Sequence, residues 1–93
     1  MRIGKAIKSA RKLRGMSQRE LSKRAKLSIT YISEIENEKK DPSLSALRTI
    51  GAALRVEPSL MALLAMDEAE LDPEHREGFK ALKSLIEKKL LSQ

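Results

Sequence analysis

The sequence predicts an all-α protein, and two observations carry that prediction. Alanine, leucine, isoleucine, lysine, arginine and glutamate dominate the 93 residues, whereas β-branched runs and aromatic side chains are scarce. Apolar residues recur three and four positions apart, which is the period of an amphipathic helix and not of a strand. A chain of this length has room for one modest core built from short helices.

The first three predicted helices are marked by capping residues. Helix 1 spans roughly residues 2–14, and Gly15 closes it as a C-terminal cap. Ser17 and Glu20 have the spacing of a capping box, which predicts a second helix of about two turns. Ser28 is the N-cap candidate of the third helix. The second and third helices are therefore separated by only a few residues.

The third helix is also short, and a loop follows it. Ile32 and Ile35 lie three residues apart and predict its inward face. The polar run 37–42 breaks the helical pattern, because a proline at position 42 disfavours helical backbone at Asp41. Two lysines in this run, Lys39 and Lys40, give the loop positively charged side chains.

Two more helices complete the compact part of the chain. Ser43 can cap helix 4, which is expected to be the most buried helix because its apolar stripe carries few charges: Leu44, Leu47, Ile50, Ala53 and Leu54. Pro58 suits the first position of helix 5, whose stripe continues with Leu60, Leu63 and Leu64. We therefore place a five-helix domain at residues 1–66.

Residues 67–93 are predicted to form an acidic connector followed by an amphipathic helix. Asp72 and Pro73 open this sixth helix by the same cap-then-proline pattern, and it is expected to run for about twenty residues. One apolar seam follows its length: Phe79, Leu82, Leu85, Ile86 and Leu90. The seam either folds back onto the domain or, as we favour, pairs with a second copy of the chain.

The positive charge is concentrated in the first half of the chain. Residues 1–40 hold twelve Lys or Arg and four Glu, a formal charge of +8, whereas residues 41–66 are neutral and residues 67–93 carry −2. Such asymmetry is typical of a protein that binds a polyanion, although a solvated helix surface is the alternative. Charge alone does not decide between the two.

Several other classes of protein are disfavoured. The chain has no cysteine and a single histidine, His75, so the residue sets of thiolate metal sites and of most catalytic centres are missing. No segment resembles a signal peptide or approaches the ~20 apolar residues that cross a membrane. We expect a cytoplasmic protein that is not an enzyme and has no metal, no cofactor, no membrane partner and no evident small-molecule ligand.

Residues 17–36 have the dimensions of a helix-turn-helix, in which two short helices are joined by a tight turn. Characteristic residues follow one another in order through this segment and beyond it: Gln18-Arg-Glu-Leu21, Ala25, Leu27-Ser28, Tyr31-Ile-Ser-Glu-Ile-Glu36, Pro42-Ser-Leu44, Leu47 and Ile50. Over residues 3–66 this pattern resembles the DNA-binding domain of the lambda-type and 434-type phage repressors and of Cro-like regulators. The resemblance implies a compact five-helix repressor-like domain, with the C-terminal helix added to it.

The resemblance also implies roles for particular residues. The outward side chains of helix 3 would read base edges, with Tyr31 on a face that a monomer leaves wet: Ser28, Ile29, Thr30, Tyr31, Ser33 and Glu34. A second set would contact phosphates: Arg11, Gln18, Asn37, Lys39 and Lys40. Arg11 and Glu36 match an ion pair between helices 1 and 3, so bracing is the favoured role of Arg11.

The chain departs from the family pattern in two respects. No Gln, Asn, Arg or Lys lies between Ser28 and Glu34, so the strongest bidentate contacts to adenine and guanine are missing. Lys26 and Glu38 stand where the family often has glycine. Recognition is therefore expected to depend more on DNA shape.

Together these features predict a transcriptional regulator, with double-stranded DNA as its partner. It would act as a repressor that binds a pseudo-palindromic operator as a homodimer joined by the C-terminal seam. The alternative is an antitoxin or a protein-interaction module whose C-terminal helix binds another protein.

Overall fold

The computed structural model describes residues 2–91, and within them it contains helices and no strand. Five α-helices are followed by one turn of 3₁₀-helix (η1) and a long sixth helix: α1 Ile3–Leu13, α2 Gln18–Ala25, α3 Ile29–Glu36, α4 Leu44–Leu54, α5 Pro58–Ala65, η1 Glu68–Glu70 and α6 Pro73–Leu91. The all-α prediction is confirmed. Residues 92 and 93, which end the predicted C-terminal segment, lie outside the described residues.

Three serines begin three of the helices as predicted. The hydroxyl oxygens of Ser17, Ser28 and Ser43 each accept the backbone N–H three residues later, at distances of 3.0 Å. The predicted capping box at Ser17 is formed only in this direction, because the Glu20 carboxylate turns outward to Arg24 at 3.4 Å. The local sequence signal therefore places the helix start correctly but assigns the glutamate the wrong partner.

Four residues end helices or shape turns in the left-handed backbone region. Gly15 has a φ of 70°, as expected of a C-terminal cap, but Lys26, Glu38 and Arg55 have φ values of 56°, 60° and 58° although they carry side chains. Glu38 has a compensating contact, because its Oε1 accepts the backbone N–H of Lys5 in the first turn of α1 at 2.9 Å. A carboxylate at this end of a helix is also favoured by the helix dipole.

This difference between Lys26 and Glu38 gives a stability prediction. Lys26→Gly is expected to raise the free energy of unfolding by about 0.5–1 kcal/mol, because glycine adopts left-handed backbone without a Cβ clash. Glu38→Gly should bring no such gain, since it also removes the acceptor of the Lys5 amide. Urea denaturation of both variants measures the difference. An equal gain at both positions would show that the Glu38 contact contributes nothing.

The core lies where α1 to α5 converge. Seven large side chains from these helices are fully buried there: Ile7, Leu21, Ile32, Ile35, Ile50, Leu54 and Met61. Met61 was absent from the stripe predicted for α5. The expectation that α4 is the most buried helix is wrong, because α1 has five buried residues and α4, of the same length, has four, and the side chain of Leu44 is 64% exposed.

Helix α6 packs along α1 and α5, and this divides the predicted seam. Leu90 is buried in the core and Ile86 packs against it, whereas Leu82 and Leu85 are 47% and 63% exposed. The prediction that all five seam residues join two copies is therefore wrong for Leu90 and Ile86, which cover their own domain. The helix is amphipathic, but its apolar side chains extend over more than one face.

Arg14 fixes the end of α6 to the domain. Its Nη1 donates to the carbonyl oxygen of Leu90 at 2.9 Å, while Nε and Nη2 donate to the carbonyls of Leu54 and Arg55 at 2.8 and 3.0 Å. One guanidinium thus holds the C-terminal ends of α4 and α6 together. Nearer the start of α6, Phe79 lines a half-open groove of about 420 Å³ against α1.

Within residues 2–91, no helix is both long enough and apolar enough to cross a membrane.

Candidate nucleic-acid interface

A buried ion pair holds α3 against α1. Glu36 accepts from Arg11 through both carboxylate oxygens, Oε2 from Nε at 2.7 Å and Oε1 from Nη2 at 3.0 Å. The third guanidinium nitrogen, Nη1, donates to the carbonyl of Met16 at 2.7 Å. Because Arg11 is only 8% exposed and its three nitrogens are bonded within the chain, the structure supports the bracing role and not the predicted phosphate contact.

Helix α2 joins the same brace through Gln18. Its Nε2 donates to Oε1 of Glu36 at 3.1 Å, so the first residue of α2 is tied to the last residue of α3. Gln18 remains half-buried, and the backbone N–H groups at this end of the helix have no partner within the helix. The predicted phosphate contact is therefore compatible with its position.

The turn between α2 and α3 is held by backbone and side-chain bonds. Lys26 takes the left-handed conformation, the backbone N–H of Leu27 donates to the carbonyl of Ser22 at 3.1 Å, and the Ser22 hydroxyl donates to the carbonyl of Leu27. These bonds close α2 at Ala25, and α3 begins at Ile29 after the cap Ser28, so three residues separate the two helices. The angle between the two helices is thereby set by a turn without glycine.

The first turn of α3 is its most accessible part. Ile32 and Ile35 face the core as predicted, and they leave Ser28, Ile29 and Thr30 exposed at the N-terminal end. Ile29 is 40% exposed. The apolar groups of Ile29 and Thr30 are free to meet another surface, such as thymine methyl groups.

Tyr31 is less exposed than predicted. Its side chain is half-buried against the core, its hydroxyl oxygen accepts the backbone N–H of Ser43 at 3.3 Å, and the Lys40 ammonium lies 5.8 Å from the ring centroid. Lys40 also lies 3.8 Å from the carboxylate of Glu34. The expectation of a wet face at Tyr31 is corrected: this ring links α3 to the start of α4.

The remaining predicted contacts surround the C-terminal end of α3. Asn37 and Ser33 are bonded to each other, because the Asn37 amide donates to the Ser33 carbonyl at 2.9 Å and to its hydroxyl oxygen at 3.3 Å. Lys39 and Lys40 are exposed in the loop that follows. The predicted base-reading residues therefore lie on α3 or at its cap. The predicted phosphate contacts lie near its C-terminal end, except that Arg11 is buried in the interior.

Arg19 is a further exposed cation that sequence reasoning left out. It is the second residue of α2 and lies directly beside Gln18. A positive side chain in the first turn of a helix is disfavoured by the helix dipole, which attracts anions at that end. This placement adds an exposed positive charge beside Gln18, one of the predicted phosphate contacts.

The basic first half of the chain is displayed at the surface. Ten of its twelve cationic side chains are exposed, and the two others are Arg11 and the half-buried Arg14. The acidic residues of the connector follow α5, in η1 and at the start of α6. The five-helix unit therefore carries a strongly positive surface, as a polyanion partner requires.

One grouping of possible metal ligands occurs within the described part of the chain. Side-chain atoms of Asp72, Glu74 and His75 lie within 4.8 Å of one another at the start of α6. All three residues are exposed, and His75 Nε2 lies 3.4 Å from a carboxylate oxygen of Glu74. A surface cluster of this kind is common without an ion, so no metal site is assigned.

A family model described as helix-turn-helix matches residues 7–61, which is more than half of the chain. The protein belongs to the helix-turn-helix family. The matched residues contain α2 and α3 as the two helices of the motif, together with most of α1 and all of α4. The predicted resemblance is confirmed.

Two similar proteins are named as regulators of transcription or immunity. The immunity repressor protein of Bacillus phage phi105 is 35% identical over 74 residues, which make up 75% of this chain and 51% of that protein. The transcriptional regulator ClgR of Mycobacterium tuberculosis is 36% identical over 61 residues, which make up 66% of this chain and 54% of that protein. This helix-turn-helix chain thus spans about half the length of the curated relatives that it matches.

Proposed function

We propose that the protein is a sequence-specific DNA-binding transcriptional regulator, and that it represses by occupying a pseudo-palindromic operator as a homodimer in the cytoplasm. One observation carries the proposal: the first turn of α3 is exposed, while a buried ion pair fixes the last residue of α3, next to the free end of α2 and the loop that carries Lys39 and Lys40. An immunity repressor among the relatives supports the direction of regulation. The entry of such a helix into the major groove is the established mode of this motif.

Base reading is assigned to the outward residues of α3, with different weights. Ile29 and Thr30 offer apolar groups for thymine methyls, and Glu34 offers an acceptor for cytosine N4. Ser28 uses its oxygen to cap the helix, so its hydroxyl hydrogen is the group available to a base or phosphate. Ser33 and Tyr31 are bonded within the chain, and they chiefly position their neighbours.

Phosphate binding is assigned to residues near the C-terminal end of α3. Lys39, Lys40 and Asn37 follow the helix in sequence, and Gln18 with Arg19 lies at the free end of α2. Helix N-termini and ammonium groups hold phosphate oxygens without regard to base sequence. Lys40 must leave Glu34 when it binds a phosphate, which frees the Glu34 carboxylate for base reading.

A homodimer accounts for specificity in spite of the sparse base contacts. Two copies related by a two-fold axis present two recognition helices to half-sites about 34 Å apart, or a multiple of that distance. Each half-site then needs only moderate discrimination, because the two half-sites together determine affinity. The exposed leucines of α6 provide an apolar surface for a second copy.

The first experiment is selection of bound sequences from a random DNA pool. We expect an enriched motif with two-fold symmetry, whose spacing reports the distance between recognition helices. Salt-dependent binding to random DNA should accompany it. Failure to shift either DNA at low salt would contradict the proposal and favour the protein-interaction alternative.

The double variant Lys39→Ala, Lys40→Ala tests the phosphate assignment. We expect operator and random DNA to lose affinity to a similar extent, roughly tenfold or more, and the slope of log affinity against log salt to fall by roughly 2. The matched control Lys80→Ala, Lys83→Ala removes the same charge from α6 and should leave both quantities nearly unchanged. If both double variants lost the same DNA affinity, the loss would reflect total charge, and Lys39 and Lys40 would not be assigned as phosphate contacts.

Thr30→Ala serves as the base-reading counterpart in the same assay. It should weaken operator binding by about 1 kcal/mol or more while random DNA is bound as before. A uniform loss on both DNAs would contradict base reading by the first turn of α3.

A further inference from the structure

Helix α6 presents a second face that its own domain does not cover. Leu82 and Leu85 are 47% and 63% exposed, whereas Phe79, Ile86 and Leu90 lie on the side of the helix that meets α1 and α5. With 3.6 residues per turn, Leu85 shares its outward face with positions 78 and 81. The face therefore combines two exposed leucines with two small residues, Gly78 and Ala81.

Gly78 lies in the interior of a 19-residue helix, where glycine is an unfavourable residue. Its backbone is ordinary, since Gly15 is the glycine with positive φ among the described residues. A Cβ atom built at Gly78 would meet nothing within 4 Å, so no contact inside the chain requires its absence. The space above Gly78 is thus open to a side chain from another molecule.

A second copy of α6 fits this face in the antiparallel direction. If the two-fold axis passes between Ala81 and Leu82, Leu85 of each copy lies over Gly78 of the other, because both residues are equally distant from the axis. Ala81 and Leu82 of the two copies then meet at the axis. Large side chains are opposed to small ones along the whole contact, and interaxial distances near 8 Å become possible.

The charges on α6 favour the same direction. Glu74 near its start and Lys89 near its end share the outward face with Leu85, whereas Lys80 and Lys83 lie on the other side of the helix, beside Glu68 and Phe79. In the antiparallel pair, Glu74 of one copy is placed opposite Lys89 of the other, since these residues are also equally distant from the axis. A parallel pair would bring like charges together.

We infer that two copies of the chain associate through an antiparallel α6–α6 contact centred between Ala81 and Leu82. This inference rests on the homodimer of the proposed function and specifies its interface and direction. The occupant of the exposed face is a second copy, because two-fold rotation places large side chains of one α6 opposite small ones of the other, and acidic side chains opposite basic ones. A parallel coiled coil through the complete predicted seam is excluded by the burial of Leu90.

Cysteine cross-linking tests the direction, since the described residues contain no native thiol and the sequence has no cysteine. Mild oxidation should cross-link Leu82→Cys with itself, because these positions meet at the axis. Leu85→Cys alone should stay uncross-linked, since its two copies are offset by about 10 Å along the helix. A mixture of Leu85→Cys and Gly78→Cys should give a mixed disulfide.

Each alternative result is decisive. Efficient cross-linking of Leu85→Cys with itself would overturn the antiparallel direction in favour of a parallel pair. A monomeric wild-type chain in sedimentation, without DNA and at concentrations up to about 100 µM, would overturn the interface altogether, since a useful dimer forms in the micromolar range or below. These measurements contain no DNA. A failure of the proposed dimer can therefore be distinguished from a failure of the proposed DNA binding.

A variant that is more stable than the wild type separates a loss of dimerisation from a loss of folding. Gly78→Gln introduces a good helix former at an open position, so the monomer should unfold at a higher denaturant concentration than the wild type. The same side chain fills the space proposed for Leu85, and dimerisation should weaken at least tenfold. Unchanged dimerisation would contradict the inference, whatever happens to stability.

Discussion

Glu36→Gln is expected to lower the free energy of unfolding by about 3–5 kcal/mol, which is a large part of the stability of a small domain. Its carboxylate accepts two bonds from Arg11 and one from Gln18 at the meeting point of α1, α2 and α3. The amide retains the shape of the carboxylate but leaves the buried Arg11 charge without a counterion. Thermal or urea denaturation should show the loss, with Tm lower by at least about 12 °C.

The matched control is Glu34→Gln, which makes the same chemical change on the same helix. Glu34 pairs with Lys40 at 3.8 Å, and the two side chains are 36% and 54% exposed. Solvent-exposed pairs contribute less than about 1 kcal/mol, so this variant should unfold almost like the wild type. If both variants lost the same stability, the Arg11–Glu36 brace would have no special weight.

Gly4→Ala is expected to be nearly as damaging, for a steric reason. A Cβ atom at position 4 would overlap the carbonyl oxygen of Ile35 and lie 2.9 Å from its carbonyl carbon. Both are backbone atoms at the end of α3, so the clash can be relieved only by moving α1 away from α3. We expect a loss of about 3 kcal/mol in unfolding experiments, at the upper end of the cost of overpacking.

Gly78→Ala is the control for the change from glycine to alanine itself. Nothing lies within 4 Å of a Cβ at that position, so higher helix propensity should stabilise the chain by about 0.5–1 kcal/mol. Both variants should be made in a Leu85→Glu background, which removes the proposed contact between copies. Opposite signs for the two substitutions are expected, and a stabilising effect of Gly4→Ala would refute the close approach of α1 and α3.

Both damaging changes act on the placement of α3, the proposed recognition helix. Gly4 permits α1 to approach the C-terminal end of α3, and Arg11 bonds Glu36 at that same end. Glu38 adds a third connection by accepting the Lys5 amide. The first turn of α3 is left exposed while its last turn is fixed by steric fit and buried charge, which is the arrangement that a rigid reading helix needs.

Most helix boundaries could be predicted from local sequence. Ser17, Ser28 and Ser43 act as caps whose partners are only three residues away, and Pro58 and Pro73 fix the backbone at the first helical position. Such signals require no knowledge of the rest of the chain. The 3₁₀ turn η1 was missed, because a single turn of helix has no periodic apolar pattern.

Predictions that depended on packing were less successful. Leu44 and Leu90 both continue an apolar stripe, yet the first is exposed and the second is buried. Tyr31 looked available to DNA until the fold placed Ser43 and Lys40 beside it. A stripe specifies that a helix has an apolar side, but the position of each residue along the neighbouring helix decides whether that side is covered.

The sequence by itself determined the all-α fold class, the inward face of α3 and the positive charge of the first half of the chain, because these properties follow from composition, spacing and short-range capping. The order of characteristic residues over 18–50 also predicted membership of the helix-turn-helix family. Only the tertiary structure decided that Arg11 is a brace, that Gly4 admits the end of α3 and that α6 has one covered and one open face. Each of these depends on a contact between residues distant in sequence, which local spacing does not encode.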